Sequence, residues 1–418
     1  MHRRDDRVAC AFVGLIDTAG RVAQNPAFSA AGTQFQESLL GSLRTTAVDV
    51  THVYALRPVP SFPTYQQLGF SVGRTTLLGS LRTTLLPFVN VGPLKTITSG
   101  IALFPYLLMW AWRERRRRRV FLLYNLYSPP GIVAIVAGWL SRTRVVAIVA
   151  DIQVPGHGLL PDTPLRQLDY QLQVKTLPLF DGLVVLTRTM AREFAPGTPF
   201  IEMEGAVPDA LMRSASTTDV ASDASTRPFV VMYAGGLSDL KGIPLLLASF
   251  ALLEGNGYAL WVTGRGPLEE AVRDAAARDP RITYWGFPEQ DELLVLYGRA
   301  DALVNPHSAS HASARYLFPS KLIEYLATGT PVVSTCSTPE VAEIYGDYSL
   351  VVPADTPGEI ATSVRRLASM SSSQRQALGA RARSFVLAEK TWRKQAQRIS
   401  EFITFLLSDR ERGTPQHT

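Results

Sequence analysis

Within residues 316–333, Tyr-Leu-Phe-Pro-Ser-Lys-Leu-Ile-Glu-Tyr-Leu-Ala-Thr-Gly-Thr-Pro-Val-Val, a helix start, a cation and a carboxylate fall close enough together to do chemistry. Pro319 and Ser320 read as the entry and cap of a helix ending near Gly329, and the free amides and dipole at such an N-terminus favour anions. Lys321 adds a full positive charge there. Glu324 follows Ser320 by four residues and Lys321 by three, so all three share a helical face on which a carboxylate can accept two hydrogen bonds from a diol. The combination suits a phosphate held beside a ribose. An amphipathic helix with Lys321 and Glu324 in water would carry the same residues.

Two glycine-rich segments add to this. Ala-Gly-Gly-Leu-Ser-Asp-Leu-Lys-Gly, residues 234–242, leaves a predicted strand and enters a helix. Gly235 and Gly236 would let the backbone approach a ligand closely, and Lys241 could reach its phosphates, although many αβ loops look this way for geometric reasons alone. Thr-Gly-Arg-Gly-Pro at 263–267 ends the next predicted strand with two further glycines, Gly264 and Gly266, around Arg265. Ligands of open α/β sheets bind at the C-terminal ends of the strands.

The elements that would carry these residues alternate clearly in the second half of the chain. Strands are predicted at Phe229–Ala234, Tyr258–Thr263, Arg281–Trp285 and Ala302–Val304, with helices starting at Gly242, Pro267 and Glu289. Such strands are apolar on both faces, as a parallel sheet buried under helices requires, and the pattern reads as a doubly wound sheet. The first half repeats the grammar at Val8–Leu15, Val50–Leu56, Val120–Tyr124, Val145–Ala150 and Leu183–Leu186. Between Pro58 and Pro93 the pattern weakens into predicted loops. With 418 residues, two domains are expected, with a cleft between them as the natural site. The small polar stretch Ser214–Thr226 is the linker candidate, which divides the chain into 1–213, 214–228 and 229–390. An amphipathic helix over 391–410 is expected to pack back towards the first domain, with a frayed polar tail from Ser408.

Composition narrows the class. Hydrophobic residues make up 46% and charged residues 19%, which argues against disorder, collagen-like repeats and a multi-span membrane protein. Only Cys10 and Cys336 occur, both in apolar runs, so neither a disulfide framework nor a cysteine metal site is supported and a reducing cytoplasm fits. Arg3 and Arg4 are followed by Asp5 and Asp6 and a short apolar stretch, which reads as a first strand and not as a secretory signal. The net charge of +6 is concentrated at Arg113 and Arg115–Arg119, next to an uncharged aromatic run from Thr96 to Trp112. A bilayer span needs about 20 predominantly apolar residues, so this run reads better as an interfacial helix on an anionic membrane surface; a core helix followed by a solvated turn has the same composition. No nucleic-acid-binding motif surrounds the arginines, and no nucleic acid partner is expected.

Taken in order, Gly235 with Lys241-Gly242, Gly264 with Gly266-Pro267, Gly286 before a helix ending at Tyr297, Ala300-Asp301, Phe318–Glu324 and Ala327–Val333 resemble the nucleotide-binding domain of a family 4 glycosyltransferase. The resemblance covers about 229–388 and implies the GT-B fold, two Rossmann-like doubly wound parallel-sheet domains facing a central cleft. It implies a retaining, metal-independent transfer of sugar from a UDP- or GDP-linked donor, a substrate and not a cofactor, held by the C-terminal domain. By the same resemblance Lys241 contacts the diphosphate, Ser320 and Lys321 meet phosphates at the helix start, and Glu324 takes the ribose hydroxyls. Gly235, Gly236, Gly264 and Arg265 complete the expected donor site. The acceptor would be a lipid-linked or growing polysaccharide, and the place the inner face of the plasma membrane.

Two departures stand out. The family places an arginine where this chain has Gly236, and a second glutamate where it has Tyr316; Lys321 is expected to replace the lost cation. Departing diphosphate charge would fall to Lys241, Arg265 and Lys321. From the N-terminal domain, Asp151 and His157 are the catalytic candidates, placed to approach the sugar or orient an acceptor hydroxyl; a capped turn with a surface histidine reads equally well. Glu204 is expected to face the cleft, and His307 and His311 read as loop polarity without a metal. Loss of the arginine and the glutamate also suits a non-catalytic sugar-nucleotide-binding subunit, and an epimerase of related architecture is a third reading.

Overall fold

Runs that are apolar on both faces become the central strands of two mainly parallel sheets in a computed structural model that describes residues 7–16, 30–125, 128–152, 154–155, 163–207, 211–212, 227–309, 314–353 and 355–411. One unit comprises the chain up to Met203 together with Trp392 onward, and the other comprises Glu204–Thr391.

In the first unit the strands are β1 (Val8–Leu15), β2 (Val48–Leu56), β3 (Gly69–Phe70), β4 (Gly73–Leu77), β5 (Leu81–Leu85), β6 (Phe88–Val89), β7 (Arg119–Tyr124), β8 (Arg144–Val149), β9 (Gly182–Val185) and β10 (Phe200–Glu202). Between them lie helices α1 (Ala30–Leu43), α2 (Leu94–Arg113), α3 (Pro130–Ser141), α4 (Pro164–Thr176) and α5 (Arg188–Phe194). Eight strands form one sheet in the order β10-β9-β8-β7-β1-β2-β5-β4, and β3 pairs with β6. Every pairing in the large sheet is parallel except the β4–β5 hairpin.

The region from Pro58 to Pro93 therefore holds four short strands where loops were expected. Its signal was the β-branched Thr75-Thr76 and Thr83-Thr84 pairs around a turn at Leu78-Gly79, both with positive φ. Helix α2 is long and apolar enough to cross a membrane, yet Leu103, Leu107, Trp110 and Ala111 are buried as a layer of this unit. A final helix from Trp392 to Glu411 closes the same core, burying Ala396, Ile399, Ile403 and Leu406 with Cys10, Leu39 and Val146. At Gly182 an added Cβ would meet Leu406 and Phe402 at 2.5 and 2.8 Å, so the absence of a side chain on β9 admits this helix. Burial pushes the Cys10 thiol well above its ordinary range, consistent with an inert core residue.

The second unit contains β11 (Phe229–Ala234), β12 (Tyr258–Thr263), β13 (Ile282–Tyr284), β14 (Ala302–Asn305), β15 (Val332–Thr335) and β16 (Leu350–Val352). Helices α6 (Ile243–Ala251), α7 (Glu269–Arg278), α8 (Gln290–Arg299), α9 (Lys321–Thr328), α10 (Pro339–Tyr345), α11 (Pro357–Ser369) and α12 (Ser372–Glu389) connect and cover them, and the C-terminal helix Trp392–Glu411 is α13. The strand order is β13-β12-β11-β14-β15-β16. Counted within the unit this is 3-2-1-4-5-6, the doubly wound order, and it reverses between β11 and β14, where such sheets open a crevice at their C-terminal edge.

The division at Met203/Glu204 falls ten residues before the expected 214–228 linker, of which 214–226 lie outside the described residues. Glu204 does not serve an open cleft. Its carboxylate is 2% exposed and receives Lys390 Nζ at 2.9 and 3.0 Å, while Val207 N–H donates to Lys390 O at 2.7 Å. Lys390 Nζ also lies 5.5 Å from the centre of the Tyr345 ring. The two points where the chain passes between units are thus tied together inside the second one. Removing one partner of a buried pair leaves the other charge uncompensated. Lys390→Met should therefore lower stability in denaturant unfolding by about 3 kcal/mol, and adding Glu204→Gln should recover most of it. A single variant as stable as the parent would show that the pair contributes nothing.

Candidate functional site

The C-terminal edge of the second sheet is built from backbone packed on backbone. At Gly264, φ is +133°, and a Cβ there would stand 1.8 Å from Gly235 O, so only glycine lets these two loops meet. Gly235 N–H donates to Thr263 O at 3.2 Å, Leu237 N–H to Arg265 O at 3.0 Å, and Gly264 N–H to Gly286 O at 2.7 Å. The loops after β11, β12 and β13 form one continuous layer. The loop after β14 joins it: Ser308 N–H donates to Leu240 O at 3.1 Å, and a Cβ on Gly242, φ +74°, would stand 1.6 Å from Pro306 O.

Helix α9 is pinned to this layer by one hydroxyl. Ala234 N–H donates to Tyr325 Oη and Tyr325 Oη donates to Ala234 O, both at 2.8 Å, immediately before Gly235-Gly236. Tyr325 is fully buried, which holds its hydroxyl protonated well above the ordinary tyrosine range. On the same helix Glu324 accepts from Tyr297 Oη at 2.8 Å and from Lys321 Nζ at 2.8 Å on each oxygen. Its side chain is 19% exposed and that of Lys321 36%. Burial, and then the Glu324 charge, push the Tyr297 hydroxyl up, so it remains a donor to the carboxylate.

Gly235, Gly236, Lys241, Gly264 and Arg265 all belong to the glycine layer, whereas Ser320, Lys321 and Glu324 belong to the start of α9, which Tyr325 fastens to it. Ser320 is exposed at the N-cap but makes no side-chain cap hydrogen bond, contrary to the expected cap. Lys321 and Glu324 do not stand apart for phosphate and sugar, because they are bonded to each other. The side chain that runs past Gly236 is that of Lys241, whose Cγ lies 3.9 Å from where a Gly236 Cβ would be; no such contact is made by Lys321. Arg265 is exposed and stacks on Phe287 at 4.8 Å.

Other candidates separate from this group. Tyr316, where the resemblance expects a glutamate, is 4% exposed, with Arg315 stacked on its ring at 4.8 Å. Asp151 is exposed in the first unit, two residues after the end of β8; His157 and His311 lie outside the described residues. His307 is buried, and its carbonyl accepts from Thr335 Oγ1 at 2.6 Å. Asp301 binds Arg227 at 2.6 and 2.9 Å and Val230 N–H at 2.8 Å, at the strand N-terminal edge and away from the crevice. From the sequence, Tyr297 is only the end of a helix and Tyr325 has no role. The sole signal for either was an aromatic hydroxyl on an otherwise apolar helix face, which does not by itself name a partner.

A doubly wound sheet with glycine loops at the switch point and a carboxylate-bearing helix beside them defines a ligand-binding α/β domain. Residues 228–370, within the second unit, match the family described as Glycosyl transferases group 1. No curated protein matches the chain. Among solved structures, sucrose-phosphate synthase from Thermosynechococcus elongatus superposes with a TM-score of 0.63 at 18% identity, covering 96% of this chain and 100% of that one. HepE from Anabaena, solved with UDP, gives 0.63 at 13%, covering 95% and 100%. The catalytic domain of starch synthase IV from Arabidopsis thaliana, bound to ADP and acarbose, gives 0.62 at 11%, covering 96% and 100%. At these identities the likeness establishes the fold, which is GT-B with two Rossmann-like domains.

The Tyr325 clamp is directly testable. Tyr325→Phe removes both bonds to Ala234 and should cost about 1–3 kcal/mol in denaturant unfolding. It should also speed hydrogen exchange at the Gly235 and Gly236 amides. Exchange at the parental rate would mean that the loop is held by other contacts.

Proposed function

We propose that the protein is a retaining, metal-independent glycosyltransferase that moves a sugar from a UDP- or GDP-linked donor to a lipid-linked or polysaccharide acceptor in polysaccharide biosynthesis. The observation that carries this reading is the Glu324 carboxylate, oriented by Tyr297 at the start of α9 and fastened through Tyr325 to the glycine loop of the switch point. Glu324 takes the ribose diol. Lys321 leaves Glu324 for the diphosphate when the donor arrives, and the diol then replaces the bonds that the carboxylate loses. Lys241 lies along Gly236 and supplies the cation that the family takes from arginine at that position, in place of the role expected for Lys321. Together with Arg265 these groups stabilise the negative charge that develops on the departing diphosphate. The solved relatives with UDP and with ADP support a nucleotide donor. Asp151 and His157 serve the acceptor side.

A second reading, a non-catalytic sugar-nucleotide-binding subunit, is favoured by Tyr316, a buried aromatic where a donor-sugar carboxylate is expected. Turnover of donor separates the two.

The first unit acts at an anionic membrane surface, at the inner face of the plasma membrane. Trp112, Trp139 and Leu179, 65%, 79% and 61% exposed, precede the adjacent strands β7, β8 and β9 and so line the strand N-terminal edge. Of the arginine block, Arg115, Arg116 and Arg118 are exposed, and Arg115 stacks on Trp112 at 4.6 Å. Arg117 and Arg119 are turned inward, to Asp49 and Glu114 and to the carbonyls of Ala111 and Ser141, so they hold the fold.

Thermal-shift titration with a panel of nucleotide diphosphate sugars should stabilise the chain by about 2.7 kcal/mol at a hundredfold excess over Kd for the true donor. Lys321→Ala should weaken that donor by roughly ten- to a hundredfold. Unchanged affinity in Lys321→Ala would remove Lys321 from the site, and no shift with any member of the panel would remove the donor site itself. For the membrane contact, phosphatidylglycerol vesicles should sediment the parent and release a chain with Arg115, Arg116 and Arg118 changed to Ser, whereas equal sedimentation would exclude these three as the contact.

A further inference from the structure

At the strand N-terminal edge of the first unit a cavity of about 820 Å³ opens between α2 and the β2–β5 face, away from the strand ends that carry Asp151. Arg7, Arg44, Arg82, Arg113 and Arg117 line it against only two carboxylates, Asp49 and Glu114. Arg117 is engaged with both acids at 2.9 and 3.3 Å, and Arg7 stands 3.9 Å from Asp49. The side chains of Arg82 and Arg113 form no hydrogen bond or ion pair with any described residue, and both are exposed into the opening. Three positive charges are thus in excess in a concave space lined on one side by Trp110.

Local backbone geometry builds the floor. The register of β1 and β2 pairs Cys10 with Val50 and Ala11 with His52, skipping Thr51, so β2 bulges there. A bulge re-aims side chains, and here Thr51 and His52 both line the cavity instead of alternating across the sheet. Trp110 Nε1 donates to Thr51 Oγ1 at 2.8 Å, and His52 Nε2 lies 2.8 Å from Thr84 Oγ1, which leaves the floor rigid. Burial first, and then the Arg82 and Arg113 guanidiniums, hold the His52 imidazole down at about 4, so that the floor is neutral and the field above it positive.

We propose that this cavity binds a phosphate ester through Arg82 and Arg113, with Arg44 behind them, at a site separate from the glycine loops of the second unit. Planar guanidiniums match phosphate oxygens in bidentate geometry, and the volume admits a phosphate with a glycerol- or sugar-sized substituent. The same chemistry is offered by the headgroup of an anionic lipid, since Trp112 and Arg115 lie along this edge, and by a soluble phosphate ester.

Phenylglyoxal modification of the full chain, read at each arginine by peptide mass spectrometry, tests the proposal and tells the sources apart. Saturating sn-glycerol 3-phosphate or phosphatidylglycerol vesicles should slow modification of Arg82 and Arg113 at least about tenfold, while Arg278 in the other unit reacts as before. Protection by phosphatidylglycerol vesicles and not by the soluble ester assigns the lipid headgroup; protection by the soluble ester alone assigns a free phosphate ester; both support the site. Phosphatidylcholine vesicles should protect neither residue. Equal slowing at Arg278, or no protection of Arg82 and Arg113 by either ligand, would overturn it.

Discussion

The close approach of Gly264 to the Gly235 carbonyl is the constraint on which the C-terminal edge of the second sheet rests. Any Cβ at that point would stand within 1.8 Å of the oxygen, so the loops after β11 and β12 meet only because neither interposes a side chain. Backbone amides and carbonyls then satisfy one another across three strand ends, and side chains are left to the rim. That division of labour gives a backbone-built edge on which Lys241 and Arg265 are carried. It also explains why α9 needs only one anchoring hydroxyl: Tyr325 occupies both backbone groups of Ala234, a residue already locked within β11.

Electrostatics at α9 follow from what the helix presents when no ligand competes. A carboxylate at 19% exposure is satisfied from below by a protonated tyrosine and from the side by a lysine, which resolves its desolvation without an external cation. The bond to Tyr297 comes from a buried, fixed donor and orients the carboxylate. The bond to Lys321 comes from a longer and more exposed side chain, and is the exchangeable one. A ligand with both a diol and a diphosphate would satisfy both partners at once, which neither fragment does alone.

The first unit uses the two ends of its sheet differently. Asp151 follows the C-terminal end of β8, whereas aromatic residues, exposed arginines and the arginine-lined cavity gather at the N-terminal ends of β2, β7, β8 and β9. In a parallel sheet all connections of one kind fall on the same edge, so two surfaces of different chemistry are kept apart by strand direction alone. Within the second unit, the buried Glu204–Lys390 pair joins the residues adjoining both interunit crossings.

Much of the fold could be read from the chain before any coordinates. The strands Val8–Leu15, Phe229–Ala234 and Tyr258–Thr263, the helix between Ser320 and Gly329 and the glycine loops are set by hydrophobic runs and by proline and glycine breakers within a few residues of one another. The weakly patterned β3–β6 segment was missed because its strands are two to five residues long and gain their order from pairing with β2 and with each other. What the tertiary structure alone decided is partnership across long separations. Tyr297 meets Glu324 over 27 residues, Tyr325 meets Ala234 over 91 and Glu204 meets Lys390 over 186. Periodicity specifies which face of an element is buried, but not which element covers it. The strand order that brings β11 beside β14, and α9 over both, is what turns individual side chains into a site.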